Sequence, residues 1–292
     1  MKIKSVGIFP NPKKKECLEY IKTLTVLFKK NNIDVYMPDF LPSVPDADFK
    51  SVNLKLFLSK VNIIIVLGGD GTFLYAAREC HNADVPLLGV NMGSFGFLTE
   101  FTKEDFLVSM GTVIKGHYKI VELLTFDVKV MRKNRCIADF IALNDAVLSR
   151  DSFSRALGIQ VNLGDEFLNE YFADGLIIAT PTGSTAHSLS AGGPIVVQTM
   201  KSILITPICP HALTNRPIII PSETKVSLLV KKAEKNARLT IDGQIGLSLK
   251  KGDAIIVKSR KDCIKLIRPV QRSYYGILRD KLSWSGTYRT KW

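Results

Sequence analysis

One carboxylate in this chain stands among glycines. Residues 66–72 read Val-Leu-Gly-Gly-Asp-Gly-Thr, which places Asp70 between Gly69 and Gly71 with Gly68 one step before. Glycine lets backbone N–H groups turn toward a ligand with no Cβ in the way. Such groups, with a helix N-terminus behind them, attract phosphate. A carboxylate in an anion-binding loop repels phosphate unless it has another task. Proton acceptance and metal binding are the two that fit, and both point to phosphoryl transfer. As a structural residue Asp70 would cap the helix that follows, which Asp does well, but glycine on both sides argues for more than a cap. The loop is not a P-loop, because no Gly-Lys-Ser/Thr ending follows, and it lacks the Gly-x-Gly-x-x-Gly spacing of a dinucleotide fingerprint.

Three further stretches carry residue types suited to binding. The first runs from Ala173-Asp174-Gly175 through Thr180-Pro181-Thr182-Gly183-Ser184-Thr185-Ala186-His187-Ser188-Leu189-Ser190 to Gly193. It reads as a strand, a turn and a short helix of small residues. Small side chains let a flat ligand approach the backbone, and the hydroxyls of Thr182, Thr185 and Ser190 both donate and accept. The plain alternative is an ordinary strand–turn–helix with a capping hydroxyl. His187 alone fits a structural role as well as a stacking contact. The second stretch is Leu143-Asn144-Asp145-Ala146-Val147, at the end of a β run. Adjacent Asn and Asp suit ribose hydroxyls and a base edge, and suit an Asx turn equally well. The third, Ile241-Asp242-Gly243-Gln244, holds the Asp-Gly pair preferred in two-residue hairpins and reads first as a turn.

The elements that must position these residues fall into two halves. Residues 1–118 alternate strand and helix signals: strands over 4–9, 33–36, 61–67 and 86–90, and helices over 16–31, 52–60, 72–80 and 104–115. This alternation predicts an α/β domain with a Rossmann-like parallel sheet. Chemistry then sits at the carboxyl ends of the strands, where the 68–72 loop and Asn91-Met92-Gly93-Ser94-Phe95-Gly96 both fall. From 119 to 270 short β runs dominate: 125–131, 138–143, 158–163, 175–179, 203–205, 217–220, 225–230, 238–241 and 254–258. Turn residues separate them, as in an all-β, sandwich-like domain. Residues 273–282 are compatible with a last helix, within a tail 271–292 assigned to the first domain.

Composition narrows the class. The chain has 292 residues with 46% hydrophobic and 23% charged content, ordinary for a globular protein with a sizeable core. No apolar stretch reaches the ~18 residues of a membrane helix, and no signal-peptide core precedes Val6, so no membrane partner is expected. Cys17, Cys80, Cys136, Cys209 and Cys263 are scattered and form no Cys-x-x-Cys pair. That argues against a disulfide framework or a structural zinc site and fits a reducing cytoplasm. The net charge of +13 suits an enzyme for polyanionic nucleotides, although general lysine usage accounts for it equally well. Lys13-Lys14-Lys15 and Lys231-Lys232 lack interleaved aromatics, so no nucleic-acid partner is expected.

Taken in order, Gly68 to Thr72, the run Gly-Val-Asn-Met-Gly-Ser-Phe-Gly-Phe-Leu-Thr at 89–99, Asn144-Asp145, the run 174–193 and Asp242-Gly243-Gln244 resemble the motif series of NAD kinases, of the bacterial ATP-NAD kinase type. The motifs span most of the chain, and 174–193 is the specific part. Diacylglycerol-type lipid kinases share Gly-Gly-Asp-Gly-Thr, but Glu-Val follows it there and Phe73-Leu74 here. Phosphofructokinases share a glycine-rich Asp but not the later motifs. A non-catalytic NAD(P)-binding module is the third alternative, disfavoured by the presence of Asp70.

The resemblance implies ATP-dependent phosphorylation of NAD at the 2′-hydroxyl of its adenosine ribose, giving NADP. ATP and NAD are then substrates, a divalent metal such as Mg²⁺ a cofactor, and polyphosphate an open alternative donor. It also implies a homodimer or homotetramer with sites at the domain junction. Carried over by position, Asp70 is the general base, and Gly71 is its neighbour in the nucleotide site. Asn144 and Asp145 hold the adenosine. Asp174, Thr185, Ala186, His187, Ser188, Leu189 and Ser190 contact the dinucleotide, and Arg155 and Gln244 stand at positions that contribute in relatives. No metal-ligating side chain is in the set. Three positions depart from the family pattern. Asp145 is often Glu, a methylene longer. His187 replaces the usual Tyr and brings a group that titrates near neutral pH. Phe172 stands where some relatives have Arg.

Overall fold

The computed structural model of the chain describes residues 3–93, 96–150, 156–233, 237–270 and 272–284. The chain forms two units, Met1–Glu122 with Ile264–Trp292, and Leu123–Cys263. The first contains β1 (Ser5–Pro10), α1 (Lys15–Lys30), β2 (Asp34–Pro38), β3 (Lys50–Val52), α2 (Leu54–Lys60), β4 (Ile63–Gly68), α3 (Asp70–Glu79), β5 (Leu87–Asn91), α4 (Lys103–Ile114) and β6 (Lys119–Leu123). The second contains β7 (Phe126–Arg132), β8 (Arg135–Ala142), β9 (Asp145–Arg150), β10 (Leu157–Leu163), β11 (Glu166–Ala173), β12 (Gly175–Ala179), a 3-10 turn at Gly183–Thr185, α5 (His187–Ser190), β13 (Ser202–Ile208), β14 (Ile218–Pro221), β15 (Val226–Lys232), β16 (Ala237–Ile241), β17 (Ile245–Leu249) and β18 (Ala254–Ser259). The chain then supplies β19 (Ile264–Arg268) and α6 (Tyr274–Leu282) to the first unit. No helix among the described residues is long and apolar enough to cross a membrane.

The first unit is the expected α/β half. Its sheet runs β3-β2-β1-β4-β5-β19-β6. The pairs from β3 through β19 are parallel. β1, β4 and β5 are buried along their whole length, which is why they read as near-continuous apolar runs rather than as alternating ones. β1 has β2 on one side and β4 on the other, so the direction of winding reverses between β1 and β4. Beyond the carboxyl ends of strands at such a reversal lies a natural crevice. Gly68 ends β4 there, and Asn11 follows β1. The Asn11 backbone N–H donates to Leu67 O at 2.8 Å, and its Nδ2 donates to Thr72 Oγ1 at 3.2 Å.

The second unit is an antiparallel sandwich. One sheet runs β11-β10-β15-β18-β7-β8 and the other β14-β13-β12-β9-β16-β17. Val128, Ile159, Leu228, Leu148, Ile178 and Leu239 share one buried core contributed by both sheets, as aligned sheets require.

Several local expectations shift. The helix expected over 52–60 is split, with β3 ending at Val52 and α2 starting only after Asn53, whose side chain caps it. Asp145 opens β9, with Asn144 just before it, rather than closing the run before. The chain passes between units near 122 and 263 rather than at 118 and 270. The reason is β19: Ile-Lys-Leu-Ile-Arg looks like one more strand of the β-rich half, yet it pairs parallel with β5 at Leu266 and Leu87. Parallel pairing joins strands distant in sequence, so no local pattern reveals it.

Candidate active site

Asp70 is the first residue of α3, reached from buried β4, which ends at Gly68, through Gly69 alone. The N-cap position belongs to Gly69, so Asp70 stands one residue inside the helix. Its side chain turns to residues 97–99. Oδ2 accepts from the Phe97 N–H at 2.8 Å. Oδ1 accepts from the Leu98 N–H at 3.0 Å, the Thr99 N–H at 3.2 Å and Thr99 Oγ1 at 3.2 Å. Gly96 makes this approach possible, since a Cβ there would lie 2.0 Å from Oδ1. At Gly69 a Cβ would meet nothing within 4 Å. That glycine leaves open space beside the loop rather than relieving a clash. Residues 97–99 close the 89–99 motif read from the sequence, but nothing in that motif showed that they face Asp70. The bonds span 27 to 29 residues, beyond the reach of any local pattern.

The second unit builds a pocket around Asn144 and Asp145. The hairpin between β16 and β17 turns through Asp242 (φ 50°) and Gly243 (φ 66°), both in the left-handed region such turns need. The Asp242 carboxylate does more than turn the chain. It accepts from the backbone N–H groups of Leu143, Asn144 and Asp145, at 3.1, 2.7 and 3.1 Å. From the other side, Thr180 Oγ1 donates to Leu143 O at 2.6 Å, and the Thr180 N–H donates to Asn144 O at 2.9 Å. A Cβ at Gly183 would sit 2.0 Å from Asn144 O, so glycine lets the Thr-Pro-Thr-Gly turn close on this backbone. The two motifs read from the sequence thus clamp a third.

The resulting pocket, about 430 Å³, is lined by Asn144, Asp145, Ala186, His187, Thr240 and Asp242 among others. That volume suits a small organic ligand. Asn144 Oδ1 is buried with no hydrogen-bond partner among the described residues, an acceptor waiting for a donor. Burial, reinforced by the Asp242 charge, pushes the Asp145 carboxyl up to about 7. Asp145 can therefore accept or donate a hydrogen bond near neutral pH.

The other expected site residues scatter in role. Ala186 and His187 line the pocket. Ser188 is buried, and its hydroxyl bonds Thr206 Oγ1 at 2.8 Å. Thr185 Oγ1 donates back to Thr182 O. Leu189 is half-buried and Ser190 exposed on the same short helix. Gln244 is exposed in the hairpin, and Gly71 is exposed in the first turn of α3. Arg155 lies outside the described residues. Asp174 pairs with Arg150, whose Nε is 2.6 Å from Oδ1. It stands at the far end of β12, because Gly175 pairs with Ser149 while Ala179 pairs with Asp145. The strand between separates Asp174 from Asp145 by roughly 16 Å and from Asn144 by roughly 20 Å, at ~3.3 Å per residue.

Comparison with known proteins agrees with both units. The ATP-NAD kinase N-terminal domain family matches residues 6–118, and the ATP-NAD kinase C-terminal domain family matches residues 143–268. A NAD kinase from Natranaerobius thermophilus is 37% identical over 96% of this chain and 98% of its own length. One from Aquifex aeolicus is 46% identical over 76% of this chain and 81% of its own. Yeast NADH kinase, solved with NADH, superposes with a TM-score of 0.89 at 25% identity, over all of this chain and 91% of that one. A NAD kinase from Archaeoglobus fulgidus, solved with ATP, shares the fold with a TM-score of 0.74 at 20% identity, over 96% of this chain and 98% of that one. The chain belongs to the ATP-NAD kinase family.

Proposed function

We propose that this protein transfers the γ-phosphate of ATP to the 2′-hydroxyl of the adenosine ribose of NAD, giving NADP, with Asp70 as general base. Family membership supports the reaction, and the geometry of the Asp70 carboxylate carries the assignment of the base. Oδ1 already accepts three donors and has no lone pair to spare. Oδ2 accepts one and keeps capacity for a hydroxyl proton. The 2′-oxygen attacks the γ-phosphorus in line, the bond to the β-phosphate oxygen breaks, and ADP leaves. A carboxylate is a weak base against an alcohol, so the proton moves to Oδ2 late, as the new P–O bond forms. Catalysis is then mainly positioning and electrostatics.

The Asn144–Asp145 pocket is the proposed seat of the adenosine, with His187 against the base. Gly71 belongs to the phosphate-facing loop, and Gln244 and Ser190 to the contacts with the dinucleotide. Among the described residues no three His, Cys, Asp or Glu side chains gather, so they offer no cage for a divalent ion. Mg²⁺ enters the proposal only as a companion of the nucleotide phosphates, where it keeps most of its water. Polyphosphate as donor, a cytoplasmic location and a homo-oligomer remain part of the reading.

The test is NADP formation by the purified protein with NAD, Mg²⁺ and either ATP or polyphosphate. Asp70→Asn is expected to keep NAD binding and to lose at least ~10²-fold in turnover. Undiminished turnover would remove Asp70 from the mechanism.

A further inference from the structure

Behind Asp70 lies a second carboxylate with no assigned task. The Glu100 side chain is 0% exposed and that of its partner Arg268 8%. The guanidinium grips the carboxylate as a fork. Nε is 2.8 Å from Oε1 and 3.0 Å from Oε2, and Nη2 is 2.7 Å from Oε1. Arg272 donates to the Glu100 carbonyl and reaches Asp105 Oδ2 at 3.3 Å. α6 closes over both ends of this segment: the Arg268 guanidinium lies over the Tyr274 ring at 5.8 Å, and Lys281 Nζ over the Phe97 ring at 5.9 Å. Thus β19 and the residues after it hold 97–101 in several places. Burying an ion pair costs several kcal/mol per ion before attraction offsets it, so such a pair is weak evidence for stability. Burial pushes the Glu100 carboxyl up, while Arg268 and Arg272 pull it down and Asp70 adds repulsion. What the pair does supply is direction, because Glu100 directly follows Thr99, the residue that gives Asp70 two donors.

We propose that Arg268 is a positioning residue for phosphoryl transfer: its fork on Glu100 fixes the 97–99 backbone and so aims Oδ2 of Asp70. This rests on the reading of Asp70 as the base. Glu100→Gln/Arg268→Met removes both charges together and leaves no unpaired ion buried. Arg268→Lys keeps the charge but loses the fork, and it carries the test if the double variant does not fold. Kinetics of NADP formation and thermal unfolding are measured for each, in the wild-type background and with Asp70→Asn. The expected result is a ~10- to ~100-fold fall in kcat for the double variant and a smaller fall for Arg268→Lys, with KM for NAD within about twofold. With Asp70→Asn the same changes cause no further loss, because the clamp acts only through that residue. An unchanged kcat, a change confined to melting temperature, or an equal fold-loss in both backgrounds overturns the clamp and leaves the base assignment standing. Full turnover of Asp70→Asn alone overturns the base assignment itself, and the clamp with it.

Discussion

The two oxygens of Asp70 are not equivalent, and a neighbouring glycine makes them so. Oδ1 is packed against 96–99 and accepts three bonds, whereas Oδ2 accepts one. Any side chain at Gly96 would occupy the place of Oδ1. Gly96→Ala is therefore expected to turn the carboxylate and lower kcat by about 10²-fold, with KM for NAD little changed. Steady-state kinetics check this, and near wild-type kcat would mean that the loop yields without disturbing Asp70. That a carboxylate stands among glycines between a buried strand and a helix was legible from the sequence alone. Its bonds to 97–99 were not, because those donors come from a segment some thirty residues on.

Among the elements, the hairpin joining β16 to β17 sets the chemistry at the start of β9. The Asp242 carboxylate gathers three N–H groups of 143–145, and its charge adds to burial in raising Asp145 to about 7. An unfolded aspartate loses its proton near ~3.9. Between about pH 4 and pH 7 the folded state thus binds the extra proton, so this group's contribution to stability falls as pH rises through that window and is flat above it. The loss is on the order of a few kcal/mol. Asp242→Asn keeps an acceptor for the N–H groups but removes the charge. It is expected to bring the Asp145 pKa down and to flatten the fall in melting temperature between pH 4 and 7. Carboxyl NMR titration and pH-dependent melts read this, and an unaltered pH slope would assign the shift to burial alone. The Asp-Gly turn was legible because positive φ is a local property. The contact of its carboxylate with residues 98 positions away was not.

For the whole molecule, charge and topology matter most. A net charge of +13 gives a field that attracts polyanionic nucleotides and that salt screens. If that field serves catalysis, kcat/KM for ATP and NAD falls several-fold between about 0.05 and 0.5 M salt while kcat holds. A flat profile would make the lysines a matter of composition. By itself the sequence determined the division into an α/β and a β-rich half, the buried strands, the glycine-flanked Asp70 and the Asp242-Gly243 turn. All of these follow from side-chain periodicity and near-neighbour backbone sterics, which act over a few residues. Only the tertiary structure decided that β19 joins the parallel sheet, that Thr99 and Glu100 stand behind Asp70, that Asp145 titrates near neutrality and that Asp174 pairs with Arg150 away from the Asn144 pocket. Desolvation, charge pairing and long-range hydrogen bonds depend on what surrounds a group once the chain has folded, and the order of residues does not carry that information locally.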